Sequence, residues 1–117
     1  MNTPPPPLCT VLEEIAGWTL DRTAAIPKSQ RFTFGQRLDG AALDALLLAV
    51  RARYASAEKK RAPLETLNLK LEEMRTLWRL VHARSWISRQ QLFHACARLD
   101  EAGRMTGGWL KQSAGAR

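Results

Sequence analysis

The chain has 117 residues, which is enough for one domain with a single modest core, so a second domain is not expected. Alanine and leucine dominate the apolar residues and β-branched residues are sparse, a composition typical of helices. The 18 Lys and Arg against 11 Asp and Glu give a net charge of +7. This charge favours a polyanionic partner, and nucleic acid is expected more than an anionic membrane surface. Charge alone does not decide between the two.

The N-terminal segment, residues 1–9, is expected to be a flexible arm, because the tetraproline Pro4–Pro7 favours an extended, solvated conformation. The first residues lack the basic and apolar regions of a signal peptide. The longest apolar run, residues 45–50, is far shorter than the about 20 residues that span a bilayer. Cys9 and Cys96 have no closely spaced partner and are expected to be reduced. We therefore expect a cytoplasmic protein with no membrane partner.

Residues 10–112 are predicted to form a helical bundle. Thr10 and Glu13 have the spacing of a capping box and precede a first helix, predicted from about Val11 to Ala24. The apolar residues that follow recur at helical spacing. This first helix is net acidic, so it is the segment least expected to face an anion.

A second helix is predicted to begin at a cap on Ser29 or Thr33, with Gln36 in the reciprocal position to Thr33, and to reach Tyr54 or slightly beyond. Between residues 41 and 50 every residue but one is apolar. This pattern predicts that more than one face of the helix is buried, as in a helix that touches neighbours on two sides.

Residues 56–62 are predicted to be a solvated connection, with a third helix beginning at Pro63. Arg75, Arg79 and His82 recur on one side of that helix and form a basic stripe. On another side, apolar residues follow alternating steps of three and four, the spacing of the seam that antiparallel bundles bury: Leu64, Leu67, Leu71, Met74, Trp78 and Val81.

A capping box of Ser88 and Gln91 opens the fourth helix, and residues 113–117 are predicted to be a disordered tail. Its inward face is predicted to contain Leu92, Cys96, Leu99 and Gly103. Helices of this length joined by short connections predict an all-α fold, an up-down-up-down four-helix bundle.

Glycines near the end of the fourth helix point to packing. Gly103 and Gly107 lie one turn apart, and Gly108 precedes Trp109. A glycine inside a helix costs about 1 kcal/mol relative to alanine, so this pair requires a reason, of which close approach of another helix is the plainest. We therefore assign these four residues to helix packing or to a subunit interface.

Two segments carry a resemblance to a known family. They are Ile26-Pro27-Lys28 leading through Arg31-Phe32-Thr33-Phe34-Gly35-Gln36-Arg37-Leu38, and Gly103-Arg104 through Gly108-Trp109-Leu110. With them the chain resembles, from Leu12 to Lys111, the accessory variability determinant (Avd) of diversity-generating retroelements. The ribosomal intervening-sequence four-helix proteins are similar and remain the alternative, as scaffolds that bind an acidic protein or RNA without a retroelement role.

The resemblance to Avd implies a ring-like or barrel-like homopentamer with a basic surface. It further implies that the protein binds the element's reverse transcriptase and its template RNA or cDNA, supports mutagenic retrohoming and catalyses nothing itself. RNA, DNA or an RNA–DNA hybrid are the expected nucleic-acid partners.

Catalytic and metal-binding residues are not expected. His82 and His94 are isolated, and Glu72 and Glu73 lie beside basic residues as ordinary helix-surface charges do. The sequence has neither a glycine-rich phosphate loop nor an evident pair of catalytic carboxylates. We therefore expect no cofactor, no metal and no enzymatic activity.

The basic residues carry the functional hypothesis. Thirteen are Arg and five are Lys, and Arg is the better suited to bidentate phosphate contact. The alternative is that they form a solvated face with salt bridges inside the bundle. Three cations lie near the start of the second helix, where the helix dipole disfavours positive charge: Lys28, Arg31 and Arg37. Their clustering indicates an anionic neighbour, which is either a phosphate or a carboxylate of another subunit. The predicted contact residues are Arg75, Arg79, Arg84, Arg89, Arg98 and Arg104, with Lys59, Lys60 and Arg61 at the connection.

Overall fold

The structure is a computed structural model that describes residues 5–115, and every regular element in that range is helical. Helices adjacent in the chain pack together, and the first also packs against the last. Hydrogen bonds from Thr23 to Asp39 and from Lys60 to Ala52 join the end of one helix to the start of the next, so neighbours are antiparallel. These residues form the predicted bundle, with helices α1 Pro7–Thr23, α2 Gln36–Tyr54, α3 Arg61–Ala83 and α4 Arg89–Gly115.

Helix α1 begins at Pro7, four residues before the predicted start at Val11. Proline suits the first helical position, because it lacks an N–H that would be unpaired there and its φ is already helical. Leu8 and Cys9 are thereby buried in the core, so they do not belong to a flexible arm, and the predicted Thr10 cap is not formed. Residues 1–4 of the predicted arm lie outside the described residues.

The entry into α2 also differs from the prediction. Residues Lys28–Gln30 form a 3₁₀ turn and Arg31–Gly35 a π-helical turn that leads directly into the helix. The Thr33 hydroxyl contacts the carbonyl and side-chain oxygens of Gln30, at 3.2 and 2.9 Å, so it does not cap α2. The 3₁₀ and π-helical turns therefore take the place of the predicted capping box between Thr33 and Gln36.

At the other end of the chain, α4 continues to Gly115, past the predicted start of a tail at residue 113. Residues 116 and 117 of that predicted tail lie outside the described part of the chain. Helix α3 begins at Arg61, two residues before Pro63, which places the proline in the first turn, where its missing N–H is tolerated.

The predicted seam of α3 forms the centre of the core. Its residues, Leu64, Leu67, Leu71, Met74, Trp78 and Val81, are at most 1% exposed. In α4 the inward face differs in part from the prediction: Leu99 is buried as expected, but Leu92, Cys96 and Gly103 are half-buried flanking positions. The fully buried α4 positions are Ala95, Leu99, Ala102 and Thr106.

Helix α2 presents an alanine-rich face to the core and an apolar face to the outside. Its buried residues are Leu38, Ala41, Ala42, Ala45, Ala49 and Ala52. The second face, predicted to be buried as well, is exposed in the single chain. We call it the α2 outer stripe; its residues Leu43, Leu47, Val50 and Tyr54 are 38% to 75% exposed.

The turn between α3 and α4 is a Schellman motif. The Trp86 N–H donates to the Val81 carbonyl at 3.1 Å, and the Ser85 N–H to the His82 carbonyl at 2.8 Å. Ser85 has a φ of 64°, the left-handed conformation that usually belongs to glycine at this position. The following capping box is confirmed, since Gln91 N–H donates to Ser88 Oγ at 3.0 Å and Ser88 N–H to the Gln91 side chain at 2.8 Å.

Replacement of Ser85 by glycine is expected to stabilise the protein by about 0.5–1 kcal/mol, because glycine adopts a positive φ without the clash of a Cβ. Thermal unfolding followed by circular dichroism should show a midpoint about 3 °C higher. Ser56→Gly is the matched control, since Ser56 has a φ of −64° and should gain nothing. Equal shifts in the two variants would contradict strain at Ser85.

Candidate nucleic-acid interface

Arg75 joins α3 to α4 and is not a free cation. Its Nε donates to Asp100 Oδ1 at 2.8 Å and its Nη1 to Glu72 Oε1 at 2.7 Å, with 17% of the side chain exposed. A Cβ on Gly103 would lie 3.2 Å from Arg75 Nη2, so this glycine leaves space for the guanidinium. The sequence predicted close approach of another helix at Gly103, but the close neighbour is a side chain. Within the chain Arg75 is therefore an ion-pair partner, and its contact with a binding partner stays a prediction.

Arg98 has the same role between α4 and α1. Its guanidinium is hydrogen-bonded to the carboxylates of Glu14 on α1 and of Glu101, the latter at 2.6 Å, and 27% of the side chain is exposed. A guanidinium already shared by two carboxylates has little capacity left for a phosphate. Arg98 is thus bound to carboxylates within the chain, and its contact with a binding partner also stays a prediction.

Lys60 closes the C-terminus of α2. Its Nζ donates to the carbonyl of Ala52 at 2.6 Å and to that of Arg53 at 3.3 Å, which satisfies acceptors that the helix end leaves unpaired. The same Nζ lies 5.6 Å from the centroid of the Trp109 ring, within cation–π distance. Lys60 is thus structural, and Trp109 is a half-buried packing residue at this end of the bundle.

The other predicted contact residues stay on the surface. Arg61 forms an exposed pair with Glu65 at 2.9 Å, a type of pair that contributes little stability. Arg84 lies 5.4 Å from the Trp86 ring centroid. Within the described residues no ion pair forms at Lys59, Arg79, Arg84, Arg89 and Arg104, all of which are exposed.

Several of these cations lie at one end of the bundle, which we call the loop end: residues 21–39 and 79–89. The ring centroids of Phe34 and Trp86 lie 5.4 Å apart and hold its two connections together. The carboxylates at this end are Asp21 and Asp39, the latter accepting the Thr23 hydroxyl at 2.6 Å. The cations at the loop end, without an ion pair among the described residues, are Arg22, Lys28, Arg31, Arg37, Arg79, Arg84 and Arg89.

Two exposed aromatic rings lie close to this positive charge in the chain. Phe32, in the π-helical turn, is 80% exposed, and Phe93, one turn into α4, is 78% exposed. Exposed rings among cations are what proteins use to stack bases and hold a phosphate backbone. Sequence reasoning selected neither ring, because exposure of a single phenylalanine on a helix has no pattern along the chain.

Gly107 and Gly108 do not mediate packing inside the chain. Both are exposed, and a Cβ added at either would meet no atom within 4 Å among the described residues. Close helix approach at these positions is therefore wrong for the single chain. Their assignment to a subunit interface stays a prediction.

The described residues contain no group of three or more His, Cys, Asp or Glu that could hold a metal ion. Burial raises the pKa of the Cys9 thiol, an effect that nearby Arg53 opposes and Glu13 reinforces. A buried thiol with a raised pKa is a poor nucleophile. Between residues 5 and 115, no helix is both long enough and apolar enough to cross a membrane.

These features define a small all-helical bundle with a cluster of exposed cations at one end. The bAvd-like family model matches residues 9–113, and the chain belongs to this family. The resemblance inferred from the two sequence segments is thereby confirmed. Comparison with curated proteins and with solved structures finds no match.

Arg75→Ala is expected to lower the free energy of unfolding by about 1 kcal/mol, because Asp100 and Glu72 lose their shared partner and both are half-exposed to water. Arg79→Ala is the matched control on the same helix and should change stability by less than about 0.5 kcal/mol. Urea titration of both variants measures the difference. If the two melt alike, the α3–α4 ion pairs contribute no net stability.

Proposed function

We propose that the protein is a non-catalytic, cytoplasmic accessory subunit of a diversity-generating retroelement, which binds the element's reverse transcriptase and its template RNA or cDNA. Membership of the bAvd-like family supports the accessory role. The observation that carries the nucleic-acid part is the concentration of unpaired cations at the loop end. The role of a ribosomal scaffold has no comparable support.

Cations without an ion pair are concentrated at the loop end because several of those in the middle of the bundle are bound to carboxylates. In the middle of the bundle Lys70, Arg75 and Arg98 are each bound to carboxylates. At the loop end the cations outnumber the carboxylates, and all of them except Arg22 are exposed. Free cations tolerate loose geometry and bind phosphate without reading sequence, which suits a subunit that must hold whatever the reverse transcriptase copies.

Arg84→Ala combined with Arg89→Ala is expected to weaken binding to single-stranded RNA, DNA and an RNA–DNA hybrid alike. If about five phosphates contact the parent protein, a plot of log affinity against log salt concentration should have a slope of about −3.5 to −4.5. The slope for the double variant should be shallower by about 1.4 to 1.8, because two contacts are removed. Fluorescence anisotropy at several salt concentrations measures both values.

The matched control replaces Lys59 and Lys111, two exposed cations at the opposite end, with alanine. It has the same change in net charge, so it should weaken binding much less if the loop end is the contact surface. Equal losses would indicate attraction by net charge alone. Binding to the reverse transcriptase encoded beside the gene, measured by co-purification with nuclease present, tests the protein partner separately.

Assembly into a homopentamer is proposed from the α2 outer stripe. Its four large apolar residues run along the helix for three turns and are 38% to 75% exposed in the single chain. A contiguous apolar patch of this kind usually marks an interface. Exposed Gly107 and Gly108 would allow a second helix to approach α4 closely.

Light scattering is expected to report about five times the 13.1 kDa chain mass for the parent protein. Leu47→Glu places a charge in the middle of the stripe, where the side chain is 58% exposed, and should yield folded monomers. Leu69→Glu is the matched control, because Leu69 is 60% exposed on α3, outside the stripe. A parent protein that is monomeric at micromolar concentration would refute the assembly.

A further inference from the structure

A cavity between α1, α3 and α4 is separate from the loop-end cations and from the α2 outer stripe. Its volume is about 350 Å³, within the range of about 300–1,000 Å³ typical of small-molecule sites. Trp18, Thr19, Trp78, His94 and Ala95 are part of its wall. His94 is exposed and Trp78 is 1% exposed, so the cavity opens at the surface and borders the core at Trp78.

The wall is largely aromatic. Trp18 and Trp78 meet edge to face with ring centroids 5.1 Å apart, and the His94 ring lies 5.2 Å from Trp18 at an angle of 39°. Aromatic rings prefer such edge-to-face and offset contacts, and a planar aromatic guest can extend the same arrangement. The charged groups in the wall, Arg98 and Glu14, are bonded to each other, which favours a neutral guest over an ion.

Thr19 supplies the polar feature of the wall. It is fully buried, and its hydroxyl has no hydrogen-bond partner among the described residues. Thr106, equally buried, instead donates to the Ala102 carbonyl at 2.7 Å, and Thr76 donates to the Glu72 carbonyl at 3.1 Å. A buried hydroxyl without a partner costs about 1–3 kcal/mol, so a guest that donates a hydrogen bond to Thr19 would relieve that cost.

We propose that this cavity is a binding site for a neutral, planar aromatic heterocycle whose ring N–H donates to the hydroxyl oxygen of Thr19 while its faces contact Trp18 and Trp78. Threonine in a helix has two accessible χ1 rotamers, so its hydroxyl can turn toward a guest at little cost. The site lies on the α1–α4 side of the bundle. The proposal of this site is therefore independent of the proposed accessory function.

Indole and indene form a matched pair of probes, because they share a shape and only indole has an N–H donor. Titration into the ¹⁵N-labelled full chain, followed by NMR, should move the indole N–H signals of Trp18 and Trp78, with those of Trp86 and Trp109 unchanged. Indole should bind about tenfold more tightly than indene, the worth of one buried hydrogen bond. Equal affinities, or shifts at Trp86 or Trp109 instead, would overturn the site.

Thr19→Val removes the hydroxyl and keeps the shape. It is expected to reduce indole affinity about tenfold, to the level of indene, and to raise the melting temperature by removing an unpaired polar group. Thr106→Val is the matched control and should keep the parent's indole affinity while lowering the melting temperature. If Thr19→Val instead lowers the melting temperature and leaves indole affinity unchanged, the hydroxyl bonds within the helix and the proposal fails.

Discussion

The arrangement of the bundle depends on the burial of one row of large side chains on α3. Leu64, Leu71 and Trp78 and their neighbours in the seam fill the centre, while α2 contributes alanines almost exclusively and α4 alternates Ala95 and Ala102 with Leu99. Helices with alanine at the contact approach closely, so the long residues of α3 can fill the space between them. Loss of volume in this row would leave a cavity that no neighbour is large enough to fill.

Close approach of the helices also decides which cations are free. Arg75 and Arg98 lie beside the seam, at the boundaries of α4 with α3 and α1, and there they meet Asp100 and Glu14. The loop end has few carboxylates, so its arginines and Lys28 remain in water. The fold thus separates cations that hold helices together from cations that can hold a phosphate, although both kinds look alike along the chain.

The surfaces assigned to different tasks lie on different parts of the molecule. The α2 outer stripe runs along one side, the free cations cluster at the loop end, and the aromatic cavity opens between α1 and α4. An assembly formed through the stripe would leave the loop end of each copy accessible. Repetition of that end around a closed assembly would strengthen binding to one nucleic acid through multiple simultaneous contacts.

The sequence by itself determined the helical class, the α3 seam and the Ser88–Gln91 cap, because each follows from the residues of a single segment. It also indicated the family, through the resemblance of two segments to Avd. It misplaced the start of α1, because a proline that ends an extended run and a proline that opens a helix look the same until Leu8 and Cys9 are seen to be buried.

Tertiary structure alone decided which predicted contact residues are structural. Arg75 pairs with Asp100, Arg98 with Glu14, and Lys60 with the carbonyl of Ala52. In each case the two partners come from different helices or from a helix and a connection, and helical spacing reports only neighbours on the same helix. The sequence also could not show that the Thr19 hydroxyl lacks a partner, since a hydrogen bond that is not made leaves no pattern in the sequence.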